Sequence, residues 1–340
     1  MKLPAEDLES ILTHTGPLWE SLRNGRIFLT GGTGFFGCWL LESFAAANQA
    51  FDLHAEAVVL TRNPGQFANK APHLAALPGI QLLPGDVANF AFPAGRFTHI
   101  IHAATTSSAP VSHTEMLDTI LVGTRRVLAF AKASGAEQLL FTSSGAIYGT
   151  QPPELLNVPE TFSGAPALEA NPLSVYGEGK RMAELLCSIA HQETGLQAKI
   201  ARCFAFVGPH LPLDAHFAIG NFIRDGLAGN PIQIQGNGSP FRSYLYAADL
   251  AIWLWTILFS GKPAHPYNVG SNEGIQIRNL AETIGSIFNV PVNIAQPLTP
   301  GTSSPRYVPD TSRAESELGL KVRVPLGEAI QKTARWNQTR

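Results

Sequence analysis

Short apolar runs that end in small polar residues recur along the first half of the chain. They are RIFLT at 26–30, AEAVVLT at 55–61, IQLLPGDV at 80–87, THIIHAA at 98–104 and EQLLFTSS at 137–144. Runs of this length, apolar on both faces, predict strands of a parallel sheet covered on each side. Longer segments with helical spacing fall between some of them, notably FFGCWLLESFAAANQ at 35–49 and HTEMLDTILVGTRRVLAFAKASG at 113–135. Strands alternating with helices predict an α/β fold, a doubly wound parallel sheet. Ahead of it, residues 3–24 alternate acidic and apolar groups around Gly16-Pro17 and predict two short helices packed on the outside of the sheet domain.

The texture changes after residue 150. Pro152, Pro153, Pro159, Pro166 and Pro172 crowd a loop that leads into a helix expected from about Ser174 to Thr194, followed by a strand in LQAKIARCFA at 196–205. Beyond it, short elements divided by proline and glycine suit a smaller lobe resting on the carboxyl edge of the sheet, where open α/β folds bind ligands. The expected division is an N-terminal helical extension at 1–24, a sheet domain at 25–205 with a return at 242–270, and a smaller α/β lobe at 206–241 and 271–340.

With 45% hydrophobic and 15% charged residues, the composition fits a compact, well-buried chain. A net charge of −2, scattered in both signs, offers no footprint for nucleic acid or an anionic membrane. The run AIWLWTILF at 251–259 is too short to span a bilayer and reads as a core helix. Cys38, Cys187 and Cys203 lack metal-ligand spacing, and their odd number fits a reducing compartment. With no apolar signal segment in MKLPAEDLES, the expectation is a soluble cytoplasmic protein. Histidines at ligand spacing beside a carboxylate are lacking too, so no metal is expected.

Candidate chemistry begins in TGGTGFFG at 30–37, between the first strand and first helix. Gly32, Gly34 and Gly37 satisfy G-x-G-x-x-G, and Gly31, Gly34 and Gly37 satisfy a wider G-x-x-G-x-x-G. Glycines there permit a tight turn and close approach of the backbone to a pyrophosphate, which the helix N-terminus attracts. The second strand ends at Arg62 rather than at a carboxylate. A guanidinium there favours a ribose 2′-phosphate, so NADP is slightly favoured over NAD. Asp86 is placed to accept a hydrogen bond from adenine, and the residues after His102 border the same cleft. Tyr176 and Lys180 stand four apart near the start of a helix and share one face. A strand ending at Ser143–Ser144 borders the same end of the crevice.

Glycine loop, Ser144, Tyr176 and Lys180 together resemble the extended short-chain dehydrogenase/reductase family, the NAD(P)-dependent epimerases and dehydratases of sugar nucleotides. The likeness continues through RSYLYAADLA at 242–251, YNVGS at 267–271 and PRYVPDTSRAESELG at 305–319. It implies a Rossmann domain, a lobe for a nucleotide-diphosphate sugar, and a homodimer formed through paired helices, one of them bearing Tyr176. Tyr176 would be the acid/base on a sugar hydroxyl or carbonyl. Lys180, with the nicotinamide charge, would lower the tyrosine's pKa and bind the nicotinamide ribose, and Ser144 would hold the same sugar oxygen. The implied cofactor contacts are Gly31, Thr33, Gly34, Phe35, Phe36, Gly37, Arg62, Asp86, Val87, Ala103, Ala104 and Thr105, with Tyr176 and Lys180. Arg242 and Arg306 match arginines that hold the diphosphate, and Asn268 matches a position near that group.

Two departures matter. The 4,6-dehydratases that this chain resembles carry Asp-Glu where Gly145 and Ala146 stand, and neither of these can exchange a proton, so elimination by that route is not expected. Ala205 replaces an asparagine that usually touches substrate, a loss for which residues 211–222 would have to compensate. The expected reaction is epimerisation through a transient ketone, C4 being the favoured carbon. An NADPH-dependent 4-ketoreductase is the alternative, and a non-catalytic dinucleotide sensor is a more distant one.

Overall fold

A computed structural model describes residues 1–105, 111–215, 217–298 and 304–338. Seven strands form the central sheet: β1 (Arg26–Thr30), β2 (Glu56–Thr61), β3 (Ile80–Pro84), β4 (His99–His102), β5 (Gln138–Ser144), β6 (Gln197–Cys203) and β7 (Pro266–Val269). Their spatial order is β7-β6-β5-β4-β1-β2-β3, and every pair is parallel. The order reverses between β1 and β4, which opens a crevice at the carboxyl ends of those strands. This is the Rossmann-like α/β sheet that the apolar runs predict.

Alternation along each strand feeds two core layers. Ile27, Leu29, Val59, Ile101 and Leu140 face the helices Phe35–Ala50 and Ala247–Ser260. Phe28, Val58, Ile100, Leu139 and Ile200 face the helices His113–Ser134 and Pro172–Thr194. The 251–259 run lies within the Ala247–Ser260 helix, whose residues through Leu258 are all buried. Among the described residues, no helix is long and apolar enough to cross a membrane.

Sequence-local signals set the helices that reach the crevice. Asn171 accepts the Ser174 N–H at 3.0 Å, Pro172 occupies the first turn, and Gly195 closes the Pro172–Thr194 helix at φ 77°. Ser112 and Glu115 form a reciprocal capping box at the head of His113–Ser134.

The N-terminal extension forms two short helical segments against the helices Phe35–Ala50 and Ala247–Ser260. A helix over Ala5–Thr15 passes into a 3₁₀ turn over Gly16–Leu22, and Ile11 and Trp19 are fully buried. Trp19 packs against Trp255 at 4.5 Å between ring centroids. Buried Asp7 accepts from Tyr246 Oη at 2.6 Å and from Lys332 Nζ at 2.9 Å. The extension is therefore part of the core, tied to elements more than two hundred residues away in sequence.

Short strands complete the structure over the carboxyl edge. Phe241–Arg242 lies between Ile275–Gln276 and Arg306–Tyr307, with Tyr307 in register with Arg242. Ile232–Ile234 pairs with Val292–Ile294, and Phe206–Val207 pairs with Leu245–Tyr246.

Candidate active site

The glycine loop has the shape of a pyrophosphate cradle, and its glycines do different jobs. Gly31 has φ +73°, and a Cβ there would strike the Ala103 carbonyl oxygen at 2.4 Å. A Cβ on Gly37 would meet the Gly32 backbone at 2.2 Å, so its absence lets the helix close on the turn. Gly34 is exposed, and its Cβ direction meets only Gly31 O at 3.4 Å, leaving open space before the helix. It caps Phe35–Ala50 without any side-chain acceptor, which leaves first-turn N–H groups aimed at that space. These residues fit a dinucleotide diphosphate, with Thr33, Phe35 and Phe36 on the same turn.

Around the cradle, Ala103 and Ala104 continue β4 against the loop, and the Ala104 N–H donates to Thr30 Oγ1 at 3.1 Å. Thr105 Oγ1 is buried beside the Tyr176 phenol, and hydrogen bonding from it acts to lower that group's pKa. One Asp86 carboxylate oxygen accepts the Ala88 N–H at 2.9 Å. Val87 is buried under Gly123 of the His113–Ser134 helix. Arg62 is exposed at the end of β2. Lys70, a residue that the motif reading missed, donates from Nζ to Thr33 O at 2.9 Å, so a second cation stands beside the loop.

At the other end of the crevice, β5 and the Pro172–Thr194 helix run side by side in opposite directions. Tyr176, Lys180 and Glu184 follow at helical spacing and meet Ser144, Thr142 and Ser143 respectively. A bare Gly177 allows this approach, since a Cβ there would sit 2.7 Å from Ala146 O. Lys180 is buried, with Nζ donating to Thr142 O at 2.8 Å and lying over the Tyr176 ring at 5.8 Å. Desolvation pulls its pKa down to about 8. Burial raises the Tyr176 phenol, and hydrogen bonding from Ser144 and Thr105 opposes that rise. The Ser144 Oγ accepts the Ala146 N–H at 3.1 Å, which leaves its own proton free for a partner.

Tyr307, which sequence reasoning passed over, also stands beside Ser144. It reaches in from the C-terminal segment with its ring 4.7 Å from that of Phe204. A Cβ on Gly145 would lie 2.8 Å from its hydroxyl oxygen. Burial raises its pKa, and Ser144 hydrogen bonding and the Arg242 charge act against that. Two phenols thus flank one serine hydroxyl. Gly145 was the available signal, because a residue without a side chain beside Ser144 leaves room that another group fills.

Arg242 and Arg306 stand on adjacent strands beside Tyr307. The Arg242 guanidinium lies 5.9 Å from the Tyr307 ring centroid and donates to Phe241 O at 2.8 Å. Arg306 stacks over Phe241 at 4.2 Å and donates from Nε to Leu156 O at 3.0 Å. Each retains guanidinium N–H groups for an anion. Asn268 does not join them. It is fully buried, its Oδ1 accepts from Tyr148 Oη at 2.8 Å, and its Nδ2 donates to Val158 O and Asp310 O at 2.8 and 3.0 Å. With both ends of its amide engaged inside the protein, it has nothing to offer a substrate. Among the described residues, no group of three or more His, Cys, Asp or Glu could hold a metal.

A family model described as the NAD dependent epimerase/dehydratase family matches residues 27–270. Curated relatives include UDP-glucuronic acid decarboxylase 1 of Danio rerio, 30% identical over 92% of this chain and 72% of its own. UDP-glucuronic acid decarboxylase 3 of Arabidopsis thaliana is 28% identical over 90% of this chain and 87% of its own. Among solved structures, the UDP-glucose 4-epimerase of Thermus thermophilus in complex with NAD superposes with a TM-score of 0.73. It is 24% identical and covers 92% of this chain and 99% of its own, a likeness of fold.

Proposed function

Because this chain belongs to the NAD-dependent epimerase/dehydratase family, whose members modify nucleotide sugars, we propose that it transiently oxidises a sugar hydroxyl of a nucleotide-diphosphate sugar, at C4, and reduces the ketone again. One observation carries this reading. Ser144 and Tyr176 converge at the crevice with Lys180 buried behind them, while positions 145 and 146 hold no ionisable side chain. Such a set serves hydroxyl-to-ketone exchange and leaves out elimination by an acid and base at those two positions. The nicotinamide dinucleotide would supply the oxidising and reducing equivalents when bound. Tyr176 takes the hydroxyl proton and returns it, Ser144 holds the oxygen being oxidised, and Lys180 contacts the nicotinamide ribose. Arg242 and Arg306 grip the diphosphate. In this reading residues 25–205 with 242–270 hold the dinucleotide, and 206–241 with 271–340 hold the sugar nucleotide. Arg62 and Lys70, with no carboxylate at the end of β2, support NADP over NAD at the adenosine ribose.

The overall outcome is epimerisation in the first reading. Loss of CO2 from a uronate is the second, favoured by the decarboxylase relatives and by the extra phenol of Tyr307. A homodimer accompanies both. Met182, Leu185 and Ile189 recur at i, i+3 and i+7 on the Tyr176 helix and are 49%, 53% and 38% exposed. Val122 on the neighbouring His113–Ser134 helix is 43% exposed, which extends that apolar face across two helices.

Denaturing the purified protein and identifying released dinucleotide by chromatography and mass tests the redox cycle. A near-stoichiometric dinucleotide, with UDP-glucose or UDP-glucuronate converted without added cofactor, is the expected result. Protein that arrives empty and consumes NADPH each turnover is a ketoreductase and contradicts it.

A further inference from the structure

We propose that Tyr307 is a second acid at this site, donating its phenol proton to the sugar carbon next to the ketone after CO2 has left that carbon. The proposal rests on the reading that a sugar hydroxyl is oxidised here, and it deepens the decarboxylation outcome. Oxidation at C4 of a hexuronate makes the carboxylate on C5 a β-keto acid. The C5–carboxylate bond then breaks, CO2 departs, and the electron pair is held as the C4–C5 enolate. C5 must next accept one proton before the ketone is reduced. Tyr176 is committed to the C4 oxygen, and Gly145 and Ala146 carry no proton, so a separate donor is required.

The geometry supplies one. Tyr307 Oη lies 2.8 Å from the Cβ direction of Gly145, one residue beyond the serine that holds the reacting oxygen. Phe204 fixes its ring from one side at 4.7 Å, and the register of Tyr307 with Arg242 fixes its strand. A side chain at position 145 would displace this hydroxyl, so the glycine and the phenol form one arrangement. A neutral phenol is the form that can donate, and burial keeps it neutral. The resulting phenolate regains its proton from water, which closes the balance.

The test uses the dinucleotide-loaded protein and UDP-glucuronate in deuterium oxide, with UDP-glucose as a second substrate and Tyr307→Phe as the variant. Wild type should form a UDP-pentose with one deuterium at C5, and reduced nicotinamide should appear transiently. Tyr307→Phe keeps the ring that packs on Phe204. It should retain the reduced-nicotinamide transient while pentose formation falls by ~10²–10⁴, the usual contribution of a positioned acid. A variant that makes deuterated pentose at the wild-type rate overturns the role of Tyr307. Wild type that reduces its cofactor with UDP-glucuronate but releases no CO2 also overturns it, and leaves the hydroxyl oxidation standing. Failure of both nucleotide sugars to reduce the cofactor overturns the underlying reading and this proposal together.

Discussion

Ser143 and Ser144 are neighbours on β5, yet they belong to two buried polar clusters with opposite character. Ser143 donates to Glu184, which also receives Arg202 through Nε at 3.0 Å and Nη2 at 2.8 Å. Arg202 Nη1 donates in turn to Tyr148 Oη at 2.8 Å, and Tyr148 donates to Asn268. In that cluster the side chains answer one another. Ser144, one residue on, faces two phenols and an arginine whose bonding capacity is not used up within the protein. Each cluster includes a tyrosine: Tyr148 is buried and Tyr176 half-buried. What separates scaffold from site is whether the hydrogen-bonding capacity is already satisfied, because buried polar groups are left unpaired only at a cost.

The sharpest break of this comparison is Tyr176→Phe. It should lower kcat by ~10²–10⁴ with little change in the melting temperature, since the ring is kept and the hydroxyl meets only Ser144 and Thr105 at the crevice. Arg202→Ala should do the reverse. It strands Glu184 in the interior and should cost ~3–5 kcal/mol of stability in urea titration, while the folded fraction still turns over substrate. If Arg202→Ala proved neutral in stability, the saturated cluster would not be scaffold.

Acid should break the scaffold before the site. Burial holds His99 down to about 4 and His102 down to about 3, so both stay neutral in the folded chain near neutral pH. Unfolded, each binds a proton below about 6.5, so the unfolded state takes up more protons and stability falls as pH drops through that value. Between pH 7 and 5 the loss should be about 2 kcal/mol for each histidine, read from urea midpoints. His102→Gln should remove about half of it, and an unchanged slope would contradict the assignment.

The smallest expected effect concerns the cradle. Gly34 has φ −82°, a conformation open to any residue, and its Cβ direction is clear. Gly34→Ala should therefore fold normally and yet weaken dinucleotide binding by roughly 5- to 150-fold, the equivalent of ~1–3 kcal/mol of overpacking against the diphosphate. Calorimetry on the variant measures this, and unchanged affinity would place the diphosphate elsewhere.

These contrasts also explain which features were legible in the sequence. Strands β1 to β6, the glycine loop and the Tyr176–Lys180 spacing are local patterns, each complete within a short window. The burial of Trp19 is different, since it depends on Trp255, far along the chain. Asn268 looked like a ligand because the family resemblance puts its position near the diphosphate, but its partners come from three other segments: Tyr148, Val158 with Glu160, and Asp310. Tyr307 was hidden by its neighbour. Arg306 drew notice as a diphosphate ligand, while Tyr307 turns to the opposite face of a two-residue strand and meets Gly145, more than a hundred and fifty residues earlier.

The measurement that bears most directly on the central claim is the absorbance of reduced nicotinamide after a nucleotide sugar is mixed with the dinucleotide-loaded protein. A transient should rise and decay in wild type with UDP-glucose or UDP-glucuronate, survive Arg202→Ala under folding conditions, and vanish in Tyr176→Phe. Product formed without any transient, or a transient undiminished in Tyr176→Phe, would contradict the account.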